Sequence, residues 1–100
     1  MGLKIYTGGT FDLFHAGHVK FLRNCAEIGL VTVALNTDEF IKAYKGKPPI
    51  MTYDERREVL QSCKYVDKVV RNFAGADSKP AIAIEAPDII AIGTDWARKD

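Results

Sequence analysis

Two histidines stand three residues apart in the stretch YTGGTFDLFHAGH, residues 6–18. His15 and His18 could serve as metal ligands, as a general acid and base, or as hydrogen-bond donors to phosphate. They follow Gly8 and Gly9, whose backbone N–H groups can approach a bound anion closely. A helix is expected to open beside them, so that its positive end faces the same place. The stretch therefore predicts an anion-binding site.

Phosphate is the anion that the surrounding residues favour. A metal would need a third protein ligand, for which Asp12 or Asp95 could serve, whereas glycine-rich backbone beside Lys45 and Lys47 suits phosphate better. Gly17, between the two histidines, is expected to leave room for a phosphate chain. The sequence has neither the P-loop pattern nor the usual dinucleotide fingerprint. No Ser or Cys occupies a strand-to-helix elbow, which argues against a nucleophilic triad.

The composition indicates one domain with no strong charge preference. The 100 residues carry 14 basic and 13 acidic side chains for a formal net charge of +1, so no global field would attract nucleic acid or an anionic membrane. We find no apolar run of about 18 residues and no leader pattern, so a cytoplasmic protein is expected. Cys25 and Cys63 lie far apart and predict ordinary buried thiols.

Strand-like and helix-like segments alternate along the chain. We expect strands over 3–7, 30–36, 65–70 and 88–93, and helices over 17–28, from Thr52 to about Cys63, and over 81–86. The first strand is expected to end in a tight turn at Gly8 and Gly9, the first helix to end at Gly29, and residues 42–51 to form a mobile basic loop. This order predicts a three-layer α/β/α sandwich around a parallel sheet, with ligands beyond the carboxyl ends of its strands. The loop carrying Lys45 and Lys47 leaves the same edge.

Several charged residues have interpretations that need no ligand. Asp38 could cap the helical turn that follows it. Arg56 or Arg57 could pair with Glu58 or Asp54 on a helix face. The loop lysines could be solvated.

The aromatic residues divide between core and site. We assign Phe11, Phe14, Phe21 and Tyr65 to the core. Trp96 either covers the end of the sheet or stacks on a base or substrate.

Taken together, the motifs resemble those of a known family. GTFDLFHAGH resembles the signature of the HxGH nucleotidyltransferases, which have a Rossmann-like fold. NTDEF at 36–40, K-G-K followed by T-Y-D-E-R-R at 45–57, K-Y-V-D at 64–67 and IGTDW at 92–96 are similar to the glycerol-3-phosphate cytidylyltransferase branch. The resemblance spans essentially the whole chain.

The resemblance implies a nucleotidyl-transfer reaction. The phosphate of sn-glycerol 3-phosphate would attack the α-phosphorus of CTP and give CDP-glycerol and pyrophosphate, with Mg²⁺ accompanying the triphosphate in a homodimeric enzyme. An ATP-dependent adenylyltransferase of the heptose-phosphate or FAD-synthetase type is a second implication. A nucleotide-binding module without catalysis is a third hypothesis.

The resemblance also implies a role for each matching residue. The catalytic set comprises Asp12, His15, His18, Lys45 and Lys47. The nucleotide would be held by Gly8, Gly9, Thr10, Phe11, His15, Gly17, His18, Lys47 and Asp95. The acceptor would be held by Lys45, Lys64, Lys79 and Trp96.

The sequence departs from the family pattern in two places. Lys64 stands where the family has an arginine, which keeps the charge and loses bidentate phosphate binding. Family members continue to a basic R-T-E-G-I-S-type motif, whereas this chain ends at Asp100. We therefore expect residues 1–100 to be a C-terminally incomplete nucleotidyltransferase domain that lacks the last strand and helix.

Overall fold

A computed structural model describes residues 3–72 and 85–91. Its strands and helices follow one another as β1 (Leu3–Gly9), α1 (Ala16–Ile28), β2 (Gly29–Asn36), α2 (Asp38–Lys45), α3 (Tyr53–Ser62), β3 (Lys68–Asn72) and β4 (Ile89–Ile90). The strands pair in parallel in the order β3-β2-β1-β4. The predicted parallel α/β architecture is confirmed.

The sheet is buried on both faces. Ile5, Val31, Val33 and Leu35 alternate along β1 and β2 and pack in one core cluster with the buried residues of α1 and α3. The intervening residues of the same strands, Tyr6, Thr32 and Ala34, are buried on the opposite face. Two-sided burial explains the nearly continuous apolar run of β2, as expected for a central parallel strand.

Helix α1 has the predicted position and the predicted end. Its inward face buries Leu22 and Cys25, which lie three residues apart. Gly29 caps the helix in an extended conformation and starts β2 at once. A Cβ atom on Gly29 would collide with the Leu3 carbonyl, so close packing against β1 requires glycine here.

The ends of β1 and β3 differ from the sequence-based expectation. Gly8 and Gly9 do not form a tight turn, because they extend β1 and lie opposite Ala34 and Leu35 of β2. The third strand starts at Lys68 instead of residue 65. Residues 65 and 66 pack against the core from the connection before β3, and this packing explains their apolar character.

The expected basic loop over 42–51 is partly helical. Residues 42–45 form the last turn of α2, which ends at Gly46 in the left-handed conformation, φ 83°, with its N–H donating to the Lys42 carbonyl at 2.8 Å. The cap at the start of α2 is Thr37, whose hydroxyl accepts from the Phe40 N–H at 3.2 Å. Asp38 is the first residue of the helix, so the expectation that it is the cap is wrong.

Helix α3 begins with the predicted capping box. The Thr52 hydroxyl accepts from the Glu55 N–H at 3.2 Å, and the Glu55 carboxylate accepts from the Thr52 N–H at 2.9 Å. The helix ends at Ser62, and Cys63 is its C-cap.

Both cysteines are free thiols, Cys25 buried and Cys63 half-buried. Burial raises the pKa of the Cys25 thiol. Among the residues that the structure describes, no helix has the length and apolar character needed to cross a membrane. Most of the helix expected over 81–86, together with Lys79 and the IGTDW segment, lies outside the described residues.

Candidate functional site

The two histidines form the N-terminal cap of α1. The Nδ1 atom of His15 accepts a hydrogen bond from the Gly17 N–H at 3.0 Å, and the Nδ1 atom of His18 accepts from the His15 N–H at 3.1 Å. This is a capping box in which imidazole nitrogens replace the usual hydroxyl and carboxylate acceptors. The first turn of the helix therefore fixes both rings.

The capping bonds determine which ring nitrogen carries the proton of the neutral imidazole. An Nδ1 atom that accepts from a backbone N–H cannot itself carry hydrogen, so the neutral ring carries its proton on Nε2. His15 and His18 stack with ring centroids 4.0 Å apart. Phe14 and Phe11 support His18, with centroids at 5.3 and 5.2 Å. The result is a rigid pair of N–H donors beside a helix N-terminus.

Gly17 is needed by the imidazole of His15. A Cβ atom at this position would lie 2.8 Å from Cε1 and 3.1 Å from Nδ1 of that ring. The His15 ring therefore occupies the place that a side chain at position 17 would take. The expectation that Gly17 leaves room for a phosphate chain stays a prediction.

The segment between β1 and α1 turns through two left-handed residues. Phe11 and Leu13 have φ values of 50° and 52°, which is uncommon for residues with bulky side chains. Burial of Phe11 in the core holds the first of them. Asp12, between the two, directs its carboxylate toward the loop before α3.

Asp12 holds that loop through two hydrogen bonds. Its Oδ2 and Oδ1 atoms accept from the N–H groups of Ile50 and Met51 at 2.8 and 2.9 Å. Lys47 precedes Ile50 by three residues, so the chain keeps it within about 11 Å of that anchor. Asp12 thus ties the loop that carries Lys47 to the segment after β1, and contact of this lysine with a ligand at the sheet edge stays a prediction. Lys45 is exposed at the end of α2.

Arg56 joins the segments that surround this edge. Its side chain is fully buried and donates to the carbonyls of Met51 at 3.0 Å and of Thr10 and Asn36 at 2.9 Å each. Its Nη2 also donates to Asp38 Oδ1 at 2.6 Å. Neither Glu58 nor Asp54 is its partner, so the expected pairing along the face of α3 is wrong for Arg56.

A row of polar side chains crosses the same edge. Asn72 Nδ2 donates to Asn36 Oδ1 at 3.0 Å, and Asn36 Nδ2 donates to Thr10 Oγ1 at 3.1 Å. The row thus starts at the end of β3, passes the end of β2 and reaches the residue that follows β1. Both asparagines are buried.

The structure brings most, but not all, of the predicted site residues to one edge. Gly8, Gly9, Thr10, Phe11, Asp12, His15, Gly17, His18 and Lys47 lie at or beside the carboxyl ends of β1 and β2. Lys64 follows the far end of α3, close to Asp67, whose N–H donates to the Val31 carbonyl near the start of β2. Val31 lies roughly 16 Å along β2 from Asn36 at its carboxyl end, so Lys64 is not part of this edge within one chain. Lys79, Asp95 and Trp96 lie outside the described residues.

The sequence alone assigned no role at the site to Arg56, Asn36 or Asn72. A signal was present for the arginine, because Tyr53, Arg56 and Leu60 share the buried face of α3 at helical spacing. The asparagines gave no such signal, because their pairing depends on strand register.

No three His, Cys, Asp or Glu side chains in the described part of the chain are grouped so that they could hold a metal ion. The two aspartates at the edge, Asp12 and Asp38, already accept hydrogen bonds from protein groups. Both carboxylates therefore already have protein partners, and Mg²⁺ held together with a nucleotide stays a prediction.

A parallel α/β sheet with paired histidines at the N-terminus of its first helix is the arrangement that the sequence resemblance implied. Residues 6–100 match the family model described as cytidylyltransferase-like, and the chain belongs to that family.

Individual relatives carry different enzyme names. The chain is 42% identical over 95 residues to an FAD synthase of Pyrococcus horikoshii, covering 93% of this chain and 64% of the relative. It is 36% identical over 97 residues to the glycerol-3-phosphate cytidylyltransferase of Bacillus subtilis, covering 96% and 74%. The crystal structure of a lipopolysaccharide core biosynthesis protein from Thermoplasma volcanium matches with a TM-score of 0.79 and 26% identity, covering 88% of this chain and 71% of that one. The chain thus spans just under two thirds of the length of the FAD synthase.

Proposed function

We propose that this protein transfers a nucleotidyl group from CTP to sn-glycerol 3-phosphate, giving CDP-glycerol and pyrophosphate. The observation that carries the proposal is the mutual capping of His15 and His18, which sets two Nε2–H donors beside the positive end of α1. The pair suits an oxygen that gains negative charge during the reaction.

The reaction is a direct displacement at phosphorus. An ionised oxygen of the acceptor phosphate forms a bond to the α-phosphorus of CTP while the bond from that phosphorus to the bridging oxygen of pyrophosphate breaks. Pyrophosphate leaves with the electron pair. The acceptor oxygen is already deprotonated, so positioning and charge neutralisation are sufficient and no general base is needed.

The described residues divide this work between them. His15 and His18 would donate to the triphosphate, Thr10 and Phe11 would contact the nucleotide, and Lys47 would meet its phosphates. Asp12 would act by holding the loop that carries Lys47. Lys45 would face the acceptor phosphate. Mg²⁺, if it accompanies the nucleotide, would take its ligands largely from the triphosphate.

An ATP-dependent FAD synthase is the second candidate. The higher identity to the Pyrococcus horikoshii protein than to the Bacillus subtilis protein favours it. The transfer chemistry would be the same, with ATP as donor and the phosphate of FMN as acceptor. The alternatives therefore differ in what the loops recognise and not in what the histidines do.

A panel of donors and acceptors tests the proposal. CTP and ATP are each combined with glycerol 3-phosphate and with FMN, and pyrophosphate release is measured. Release with CTP and glycerol 3-phosphate only supports the first candidate, and release with ATP and FMN only supports the second. Binding of either nucleotide without release from any pair would indicate a nucleotide-binding module instead.

Two substitutions at His18 test the role of its ring. His18→Asn keeps a capping acceptor near the position of Nδ1 and removes the Nε2–H donor, whereas His18→Ala removes both. We expect both to lower kcat about 100-fold or more, with the cap of α1 preserved only in His18→Asn. Unchanged kcat in His18→Asn would exclude the donor role.

A cytoplasmic homodimer completes the proposal. Leu3, Ile28 and Leu30 are large apolar side chains that are about half exposed, and such residues can contribute to an interface. Sedimentation analysis of the full chain would measure the oligomeric state.

A further inference from the structure

The polar row across the carboxyl edge has a direction. Each amide in it donates to the next residue: Asn72 Nδ2 to Asn36 Oδ1, then Asn36 Nδ2 to Thr10 Oγ1. Thr10 accepts from Asn36, so its own hydroxyl hydrogen must point away from Asn36. The row therefore presents Thr10 as a donor.

We propose that Asn72 and Asn36 are positioning residues that fix the Thr10 hydroxyl as a donor to the bound triphosphate. This inference rests on the proposed function, because it assumes that the nucleotide phosphates lie at this edge. The inference assigns a positioning role to Asn36 and Asn72, which lie on neighbouring strands and are not themselves proposed to contact phosphate.

Only two arrangements of the row avoid a clash between like groups. In the arrangement observed, both amides present N–H toward β1. If Asn36 turned its amide over, its N–H group would face the N–H group of Asn72, so Asn72 would have to turn as well. Thr10 would then donate to Asn36 and present lone pairs to the site, which would repel phosphate oxygens.

The backbone under the row is held separately. Arg56 Nη1 donates to the carbonyls of both Thr10 and Asn36 at 2.9 Å. Changing the amide orientation therefore need not move the strands. Asn36 and Asn72 are also register partners in the parallel pair of β2 and β3, which keeps their side chains adjacent.

Asn72→Asp tests the direction of the row. A carboxylate only accepts, so it would take the N–H of Asn36 and leave Asn36 Oδ1 facing Thr10. We expect affinity for CTP or ATP, measured by calorimetry on the full chain, to fall about tenfold or more, the equivalent of one hydrogen bond to a charged group. Affinity for the uncharged nucleoside, cytidine or adenosine, should not change.

A double-mutant cycle separates this effect from simple repulsion by the new charge. In the presence of Thr10→Val, Asn72→Asp should lower triphosphate affinity much less than it does alone. An equal loss with and without Thr10→Val would overturn the inference. Asn72→Leu is the uncharged second variant if Asn72→Asp fails to fold, and it should weaken triphosphate binding while leaving nucleoside binding unchanged.

Thr32→Val is the matched control for Thr10→Val. Thr32 is buried in β2 four residues before Asn36, and this change removes a hydroxyl while keeping the shape. Triphosphate affinity should be unchanged. If the unmodified chain binds triphosphate but catalyses no transfer, the proposed function is wrong, and the positioning role of Asn72 and Asn36 is still tested by the binding measurements. If the unmodified chain binds no triphosphate, the proposed function and the positioning role are both wrong.

Discussion

Arg56 Nη2 lies 2.6 Å from Asp38 Oδ1, with the arginine side chain fully buried and the aspartate side chain 38% exposed. The pair joins α3 to the start of α2. Asp38 also accepts from the Tyr53 N–H through its other oxygen, at 3.2 Å. Asp38 thus holds the N-terminal ends of α2 and α3 together beside the site.

Replacing this arginine should destabilise the fold strongly. Arg56→Lys keeps the charge, but a single ammonium cannot reach acceptors on four different residues, so buried carbonyls lose their donors. We expect the free energy of unfolding to fall by about 3 kcal/mol, because each buried carbonyl left without a donor costs about 1–3 kcal/mol. Urea denaturation measures this. Arg57→Lys on the exposed face of the same helix should change stability by less than about 0.5 kcal/mol, and a similar loss in both variants would contradict the assignment.

Gly17→Ala should disturb the histidine pair. The added methyl group would lie 2.8 Å from Cε1 of His15, so the ring must leave its place on the first turn. We expect changed imidazole nitrogen resonances for His15 and His18 and weaker triphosphate binding, even though alanine favours helix more than glycine.

Gly46→Ala is the control for Gly17→Ala. Nothing lies within 4 Å of its added Cβ atom, but φ is 83°. It should destabilise the protein by about 1 kcal/mol through backbone strain and leave the imidazole resonances unchanged. Identical imidazole spectra for Gly17→Ala and the unmodified protein would show that the ring does not need this glycine.

Asp12→Ala should release the loop before α3. The Ile50 and Met51 N–H groups lose their carboxylate acceptor, a type of bond that contributes about 1.5–3 kcal/mol when one partner is charged. Hydrogen exchange at these two amides should become faster, and the rate of nucleotidyl transfer should fall because Lys47 is no longer tethered. Asp54→Ala, at an exposed position in the first turn of α3, should leave both amides protected. Unchanged exchange in Asp12→Ala would disprove the tether.

The thiol of Cys25 should react slowly with alkylating reagents. Its ionisation at alkaline pH should destabilise the fold. Burial raises its pKa above the ordinary value of 9.0, so the folded chain holds this proton more tightly than the unfolded chain. Stability from this group is complete below that value and is lost as pH rises through the higher pKa of the folded state. Alkylation followed by mass spectrometry should label half-buried Cys63 first. Equal labelling rates for the two thiols would contradict the burial argument.

Local sequence patterns predicted the elements whose signals do not depend on distant contacts. The apolar run of β2, the helical spacing in α1 and the Thr52–Glu55 capping box each follow from local physics. The start of β3 could not be predicted in this way, because Tyr65 and Val66 are buried from a connection and look like strand residues.

The site could be predicted less completely than the fold. The histidines, glycines and Asp12 lie within one short segment, so their grouping was visible in the sequence. Apart from the bond of Arg56 to Met51, five residues earlier, Arg56 and the two asparagines act through partners 18 to 46 residues away. Those contacts depend on sheet register and helix docking, and a charged residue is normally expected on the surface.

The mutual capping of His15 and His18 also bears on the thermodynamics of ligand capture. Each ring is immobilised during folding, by backbone N–H groups on one side and by its stacked neighbour on the other. An arriving anion therefore need not restrict side-chain rotation before it gains a hydrogen bond. The entropy of orienting the two imidazole donors is lost when the chain folds and not when the ligand binds. Ligand affinity should therefore depend on how completely the first turn of α1 is formed.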